Sequence, residues 1–173
     1  MREKIIEKKN IIILVASIVA GALLIPSFIS LFSNNLNDIA IITLIAYGGY
    51  LATALLFIYY VCAKKEITLK ALILPIIIFE AASALTSVYN LIVNSSWSSI
   101  FYIALYLSVI IVSLIYLGKK CDKLKYAIYI LLLVCIAFNL ASVFNGSTIG
   151  LSCLIINLVI TGIFYLNSLG GNE

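Results

Sequence analysis

Every lysine and arginine in this 173-residue chain falls into one of three short clusters, and the long stretches between clusters are almost free of charge. Arg2, Lys4, Lys8 and Lys9 form the first cluster, Lys64, Lys65 and Lys70 the second, and Lys119, Lys120, Lys123 and Lys125 the third. Six apolar runs fill the rest: Ile11–Phe32, Ile39–Cys62, Ala71–Val93, Ile100–Leu117, Tyr126–Phe144 and Ile149–Ser168. A hydrocarbon core of about 30 Å takes roughly 20 helical residues to cross, and each run is close to that length or longer. Lipid offers a backbone amide no hydrogen bond, so a spanning segment must be a helix or part of a closed barrel. The runs are continuously apolar and do not alternate with period two, which excludes the barrel. The expected fold is an all-α integral membrane protein with a six-transmembrane-helix bundle over residues 11–168. A basic N-terminal segment (1–10) precedes it and a short tail (169–173) follows.

Composition agrees. Hydrophobic residues make up 64% of the chain and charged residues 10%, against about 25% charged in an ordinary soluble domain. The basic clusters all fall on alternate connections, while "SNNLND", "NSSWSS" and "NGST" hold no lysine or arginine. The positive-inside rule then puts both termini in the cytoplasm, in the plasma membrane of a cell that the isoleucine- and lysine-rich style suggests is prokaryotic. Basic residues clustered in this way report topology and imply no nucleic-acid partner. "MREKIIEKK" before an apolar run, with Ala20-Gly21-Ala22 beyond it, imitates a signal peptide. The run continues about ten residues past that point, too far for a signal h-region, so the first helix is expected to stay uncleaved. The sequons at Asn94 and Asn145 read as polar turns close to the membrane, and Trp97 as an interface anchor.

Chemistry is sparse. The chain has no histidine, and Cys62, Cys121, Cys135 and Cys153 form no C-x-x-C pair. No metal or cofactor is expected, and the cysteines read as reduced, semi-apolar side chains. Hydrolase and phosphate-binding motifs are absent, so the chain is not expected to be an enzyme.

One residue breaks the apolar pattern. Glu80 stands in "LPIIIFEAASALTSVYNL", about 14 Å into its span at 1.5 Å per residue, where a charge costs from about 2.5 to more than 10 kcal/mol. The other acidic residues lie in loops or tails, and no lysine or arginine lies inside a span. Glu80 must therefore be protonated, hydrogen-bonded to neutral groups, wetted by a cavity, or paired with a cationic ligand. Glu80, Ser83, Ser87 and Asn90 share one helical face. Similar stripes hold Thr43, Tyr47 and Tyr50; Tyr102 and Tyr106; Cys135, Asn139, Ser142 and Asn145; and Cys153, Asn157 and Thr161. Asn157 is expected at a depth close to that of Glu80. Two meanings stand side by side. The stripes are interhelical glue, with a protonated Glu80 donating to Asn157 or a backbone carbonyl. Alternatively they line an outward-opening cleft for a small, partly aromatic or cationic solute, with Glu80, Ser83, Ser87, Asn139, Asn157, Tyr47 and Tyr106 as the binding residues and Glu80 as the proton- or cation-linked group. The competing function is a non-catalytic scaffold, an immunity or stress protein, or an accessory subunit that docks a larger membrane partner.

Residues 64–90 and 119–145 align at an offset of 55, sharing a K-K-x(3)-L-K start and an S-V-[YF]-N end. This pattern suggests three repeated helical hairpins around a common axis. Small residues at Ala16/Ala20 and Gly48/Gly49 mark faces for close helix contact, within the bundle, with a partner protein, or between copies of the chain. Pro26 and Pro75 are expected to bend their helices. In length, span count and the Ala16/Ala20 motif, the chain resembles the substrate-binding S components of energy-coupling-factor vitamin transporters. That resemblance implies a vitamin site near the outer surface and a coupling protein on the first helix. With Gly21 and Pro26 in its first hairpin, it is also similar to small six-span stress-associated membrane proteins. Both resemblances stop at layout and a single short motif, and no family is assigned from them.

Overall fold

A computed structural model describes residues 2–33, 38–63, 67–119 and 121–169. It consists of six helices: α1 (Arg2–Ser33), α2 (Asp38–Cys62), α3 (Leu69–Asn94), α4 (Ser99–Gly118), α5 (Asp122–Phe144) and α6 (Thr148–Leu169). Among the described residues there is no strand, and each helix contains a stretch long and apolar enough to cross a membrane. α1 extends back through the basic segment, because "REKIIEKK" offers good helix formers and no Gly or Pro to stop them. Lys64, Lys65, Lys120 and residues 170–173 lie outside the described residues.

Local chemistry sets the boundaries. Thr68 caps α3, its hydroxyl accepting from the Ala71 N–H at 3.3 Å. Ser95 ends that helix in the left-handed region (φ 49°), where the N–H of Ser96 reaches back to the Asn90 carbonyl. Gly146 (φ 79°) makes the tight turn between α5 and α6, a conformation that costs a glycine little. Asn94 and Asn145, the two sequon asparagines, are the last residue of α3 and the residue capping α5.

Each helix packs on its neighbours in the chain, α6 closes the ring onto α1, and α6 also reaches across to α3 and α2. Just over half of the membrane-length stretch of α3 and of α6 is buried (56% each), against 22–33% for the other four helices. α3 and α6 therefore form the centre. This distribution does not follow the hairpin alignment, which pairs central α3 with peripheral α5. The outside is as apolar as the core: Ile12, Phe101 and Phe144 are 67%, 77% and 82% exposed.

Both prolines lie inside unbroken helices. Pro75 has no N–H for the carbonyl four residues earlier, and the Tyr60 hydroxyl of α2 donates to that carbonyl, on Ala71, at 3.4 Å. One residue of each small-residue pair, Ala20 and Gly49, is packed within the bundle. Ala20 is fully buried, and Gly49 packs against Ala82 so closely that an added Cβ would lie 2.8 Å from the Ala82 Cβ. At the lysine-rich end, Lys9 donates to the Asn167 Oδ1 at 3.5 Å, and the Asn167 amide donates to the Ile67 carbonyl. Asn167 thus ties α1 and α6 to the segment leading into α3.

Gly49 and Gly48 give a paired test. Nothing lies within 4 Å of a Cβ added at Gly48. Gly49→Ala is expected to cost about 1–3 kcal/mol through overpacking, whereas Gly48→Ala is neutral or slightly stabilising. Thermal unfolding of the two variants in detergent measures the difference.

Candidate functional site: a polar cavity between five helices

A partly open cavity of about 260 Å³ lies at the lysine-free end of the bundle, between α2, α3, α4, α5 and α6. No described α1 residue lines it. Thr43, Tyr47 and Tyr50 come from α2, and Ser83, Thr86, Ser87, Tyr89 and Asn90 from α3. Tyr102 and Tyr106 come from α4, and Phe138, Asn139 and Ser142 from α5. Ser147, Ile149, Gly150 and Cys153 complete the wall at the start of α6. Among the described residues the lining contains no charged side chain. Gly150 brings α6 against α5 at this point: a Cβ there would stand 2.8 Å from the Ser142 Cβ.

Most lining hydroxyls on α3 are already committed to their own helix. Ser83 donates to the Phe79 carbonyl, Thr86 to Ala82 and Ser87 to Ser83, each at 3.0 Å. Such back-bonding uses the hydroxyl proton and leaves oxygen lone pairs available. The Tyr50 hydroxyl crosses from α2 to lie 3.3 Å from the Ser83 Oγ and 3.1 Å from the Thr86 Oγ1. Tyr102 and Phe138 meet edge to face, with ring centroids 4.9 Å apart, and join α4 to α5. Two buried lining atoms have no partner among the described residues: Thr43 Oγ1 and Asn139 Nδ2. Each such atom costs about 1–3 kcal/mol when it stays unsatisfied.

Of the seven residues expected to bind, Ser83, Ser87, Tyr47, Tyr106 and Asn139 are brought together here. Glu80 and Asn157 are not on the wall. Glu80 is fully buried (0% exposed), one helical turn below Ser83. Its Oε2 accepts a single weak bond, from the Cys135 thiol at 3.9 Å, and its Oε1 has no partner. These two residues are 55 apart and occupy the same position in the aligned segments, so the alignment brings its own equivalents face to face. Glu80 is also close enough to interact electrostatically with Tyr106 and Cys153, both on the cavity wall.

The expected bond between Glu80 and Asn157 is not made. Asn157 Oδ1 accepts from Thr161 one turn along α6 at 3.3 Å, and its amide Nδ2 is buried without a partner. Asn157 stands nine residues from the lysine-free end of α6 and Glu80 fourteen from that end of α3, about 7 Å apart in depth at 1.5 Å per residue, so the two are not level. Ser113, which the stripes did not include, is buried on α4 with an unpartnered Oγ. It stands fourteen residues from the lysine-free end of its helix, as Glu80 does on α3. A layer of under-bonded polar atoms thus lies below the cavity floor. Thr86, Tyr89, Ser147 and Gly150 were also missed. Thr86 and Tyr89 lie one step round α3 from the chosen stripe, and a wider arc would have included them.

Cys135 and Cys153 are buried, whereas Cys62 and Cys121 are exposed at the lysine-rich end. No group of three or more metal-ligating side chains occurs among the described residues. No protein family, curated protein or solved structure matches the chain in sequence or fold.

A buried carboxyl with one thiol donor is a burden on stability, and replacing it by a similar-sized apolar group removes that burden. Glu80→Leu is expected to raise resistance to unfolding by about 1–3 kcal/mol, read by SDS titration of the purified protein. An unchanged or lowered stability would show Glu80 to be a structural tie.

Proposed function

We propose that this chain is a small multi-pass membrane protein that binds, and in its full cycle moves, a small solute through a cleft opening at the lysine-free end. In this reading the helices span the plasma membrane, the lysine-rich end faces the cytoplasm, and the cavity faces outward. Glu80 below the floor is the proton- or cation-linked group. The observation that carries the reading is the convergence of polar side chains from five helices on one cavity, with Thr43 and Asn139 each holding an unpartnered buried atom there. Interhelical glue pairs its polar groups with one another, whereas a solute site keeps some available. The Lys9–Asn167–Ile67 connection at the opposite end supports an arrangement closed on the cytoplasmic side.

One observation favours a second reading, that of a scaffold or accessory subunit docking a membrane partner. An apolar groove of about 520 Å³ runs between α1 and α6, lined by Ile12, Ala16, Leu158 and Gly162 among others.

Two experiments test these statements. In intact cells, a membrane-impermeant maleimide should label Ser96→Cys and spare Cys62 and Cys121 until the cells are permeabilised; the reverse pattern would invert the topology. In lipid nanodiscs, a panel of small solutes should contain at least one that raises the melting temperature of the wild type but not of Ser87→Trp, which fills the cavity. If no solute acts in this way and Ser87→Trp retains full function in cells, the docking reading replaces the transport reading.

A further inference from the structure

We infer that the solute is a small organic cation, a substituted ammonium head held among tyrosine rings with Glu80 as its countercharge. The inference rests on the solute-binding reading above and adds the ligand's chemical class.

Four features of the cavity point the same way. Six of its lining residues are aromatic: Tyr47, Tyr50, Tyr89, Tyr102, Tyr106 and Phe138. Aromatic faces attract a cation through the ring quadrupole, most strongly where water is excluded. The α3 wall offers acceptors, because Ser83, Thr86 and Ser87 spend their protons on backbone carbonyls and only Ser83 and Thr86 are also engaged by the Tyr50 hydroxyl. Among the described residues no basic side chain lines the cavity to repel a cation or to hold an anion. The acidic group beneath it, Glu80, has no lysine or arginine partner among the described residues, and it is within electrostatic reach of two wall residues, Tyr106 and Cys153.

Among the described residues the one side chain that bonds that carboxyl is Cys135 on α5, which is not cationic. An anion would meet the acceptor wall and the carboxyl with no compensating charge. A neutral solute would make no use of the ring quadrupoles. Asn139 Nδ2, the unpartnered donor, calls for one acceptor on the ligand, which a hydroxyl or carbonyl on the ammonium compound supplies. A volume of about 260 Å³ equals the liquid volume of roughly nine waters. That suits a trimethylammonium head with a short tail and excludes a large lipophilic cation.

Choline and its uncharged isostere 3,3-dimethylbutan-1-ol separate charge from shape. Titration calorimetry on the full chain in nanodiscs is expected to show choline binding at least about tenfold more tightly than the isostere, in keeping with desolvated cation–aromatic contacts. Tyr106→Leu and Glu80→Gln should each weaken choline by a similar factor, and Glu80→Gln should leave the isostere within about threefold of its wild-type affinity. Tyr89→Leu, nearer the rim, serves if Tyr106→Leu does not fold. Equal binding of choline and the isostere would overturn the cation assignment and leave the solute-binding reading standing. If neither binds to protein shown folded by circular dichroism, the cation assignment falls. If the wider solute panel is also inactive, the solute-binding reading falls with it.

Discussion

The seam between α2 and α3 is the constraint on which the rest depends. The exterior carries large apolar side chains as the interior does, so in the bilayer that the proposed function requires, burying one more isoleucine would give a helix little reason to prefer another helix over a lipid tail. Association must come from close backbone approach and from hydrogen bonds between helices. Gly49 against Ala82 supplies the first, and Tyr50 reaching Ser83 and Thr86 supplies the second. The same contacts build one wall of the cavity. Removing polar groups to simplify the seam would remove the site as well, because the two share side chains.

The architecture was largely legible in the sequence, because continuous apolar runs of spanning length leave the backbone only one way to satisfy its amides. The stripes were legible too. Helical periodicity placed Tyr47, Ser83, Ser87, Tyr106 and Asn139 on faces that converge in the folded chain. Two things were hidden. Apolar runs of similar character do not say which helices lie at the centre, since hydropathy measures fitness for lipid, which every span needs. The azimuth of a single side chain was hidden as well. Glu80 and Asn157 were placed by depth, and the rotation of α5 and α6 against α3 decided that Glu80 meets Cys135.

That meeting also refines the meaning of the internal alignment. Equivalent residues touch, yet the helices that carry them differ in burial, α3 central and α5 peripheral. Similar sequence segments have thus been put to unequal use, with the carboxyl on the buried copy and a thiol on the exposed one. A thiol is among the weakest donors a carboxyl can be given, so the arrangement leaves the carboxyl's bonding capacity largely unspent.

The hydroxyl bonds along α3 have a mechanical consequence. The carbonyls of Phe79, Ala82 and Ser83 each serve a side-chain hydroxyl as well as the helical N–H four residues on. Shared acceptors loosen the helical ladder, and serine and threonine back-bonding bends helices. Just below, Pro75 removes one rung altogether, and a tyrosine from α2 takes its place. The central helix is therefore less stiff from Pro75 up through the turns that border the cavity. A change in cavity shape would be taken up by flexure within this stretch of α3.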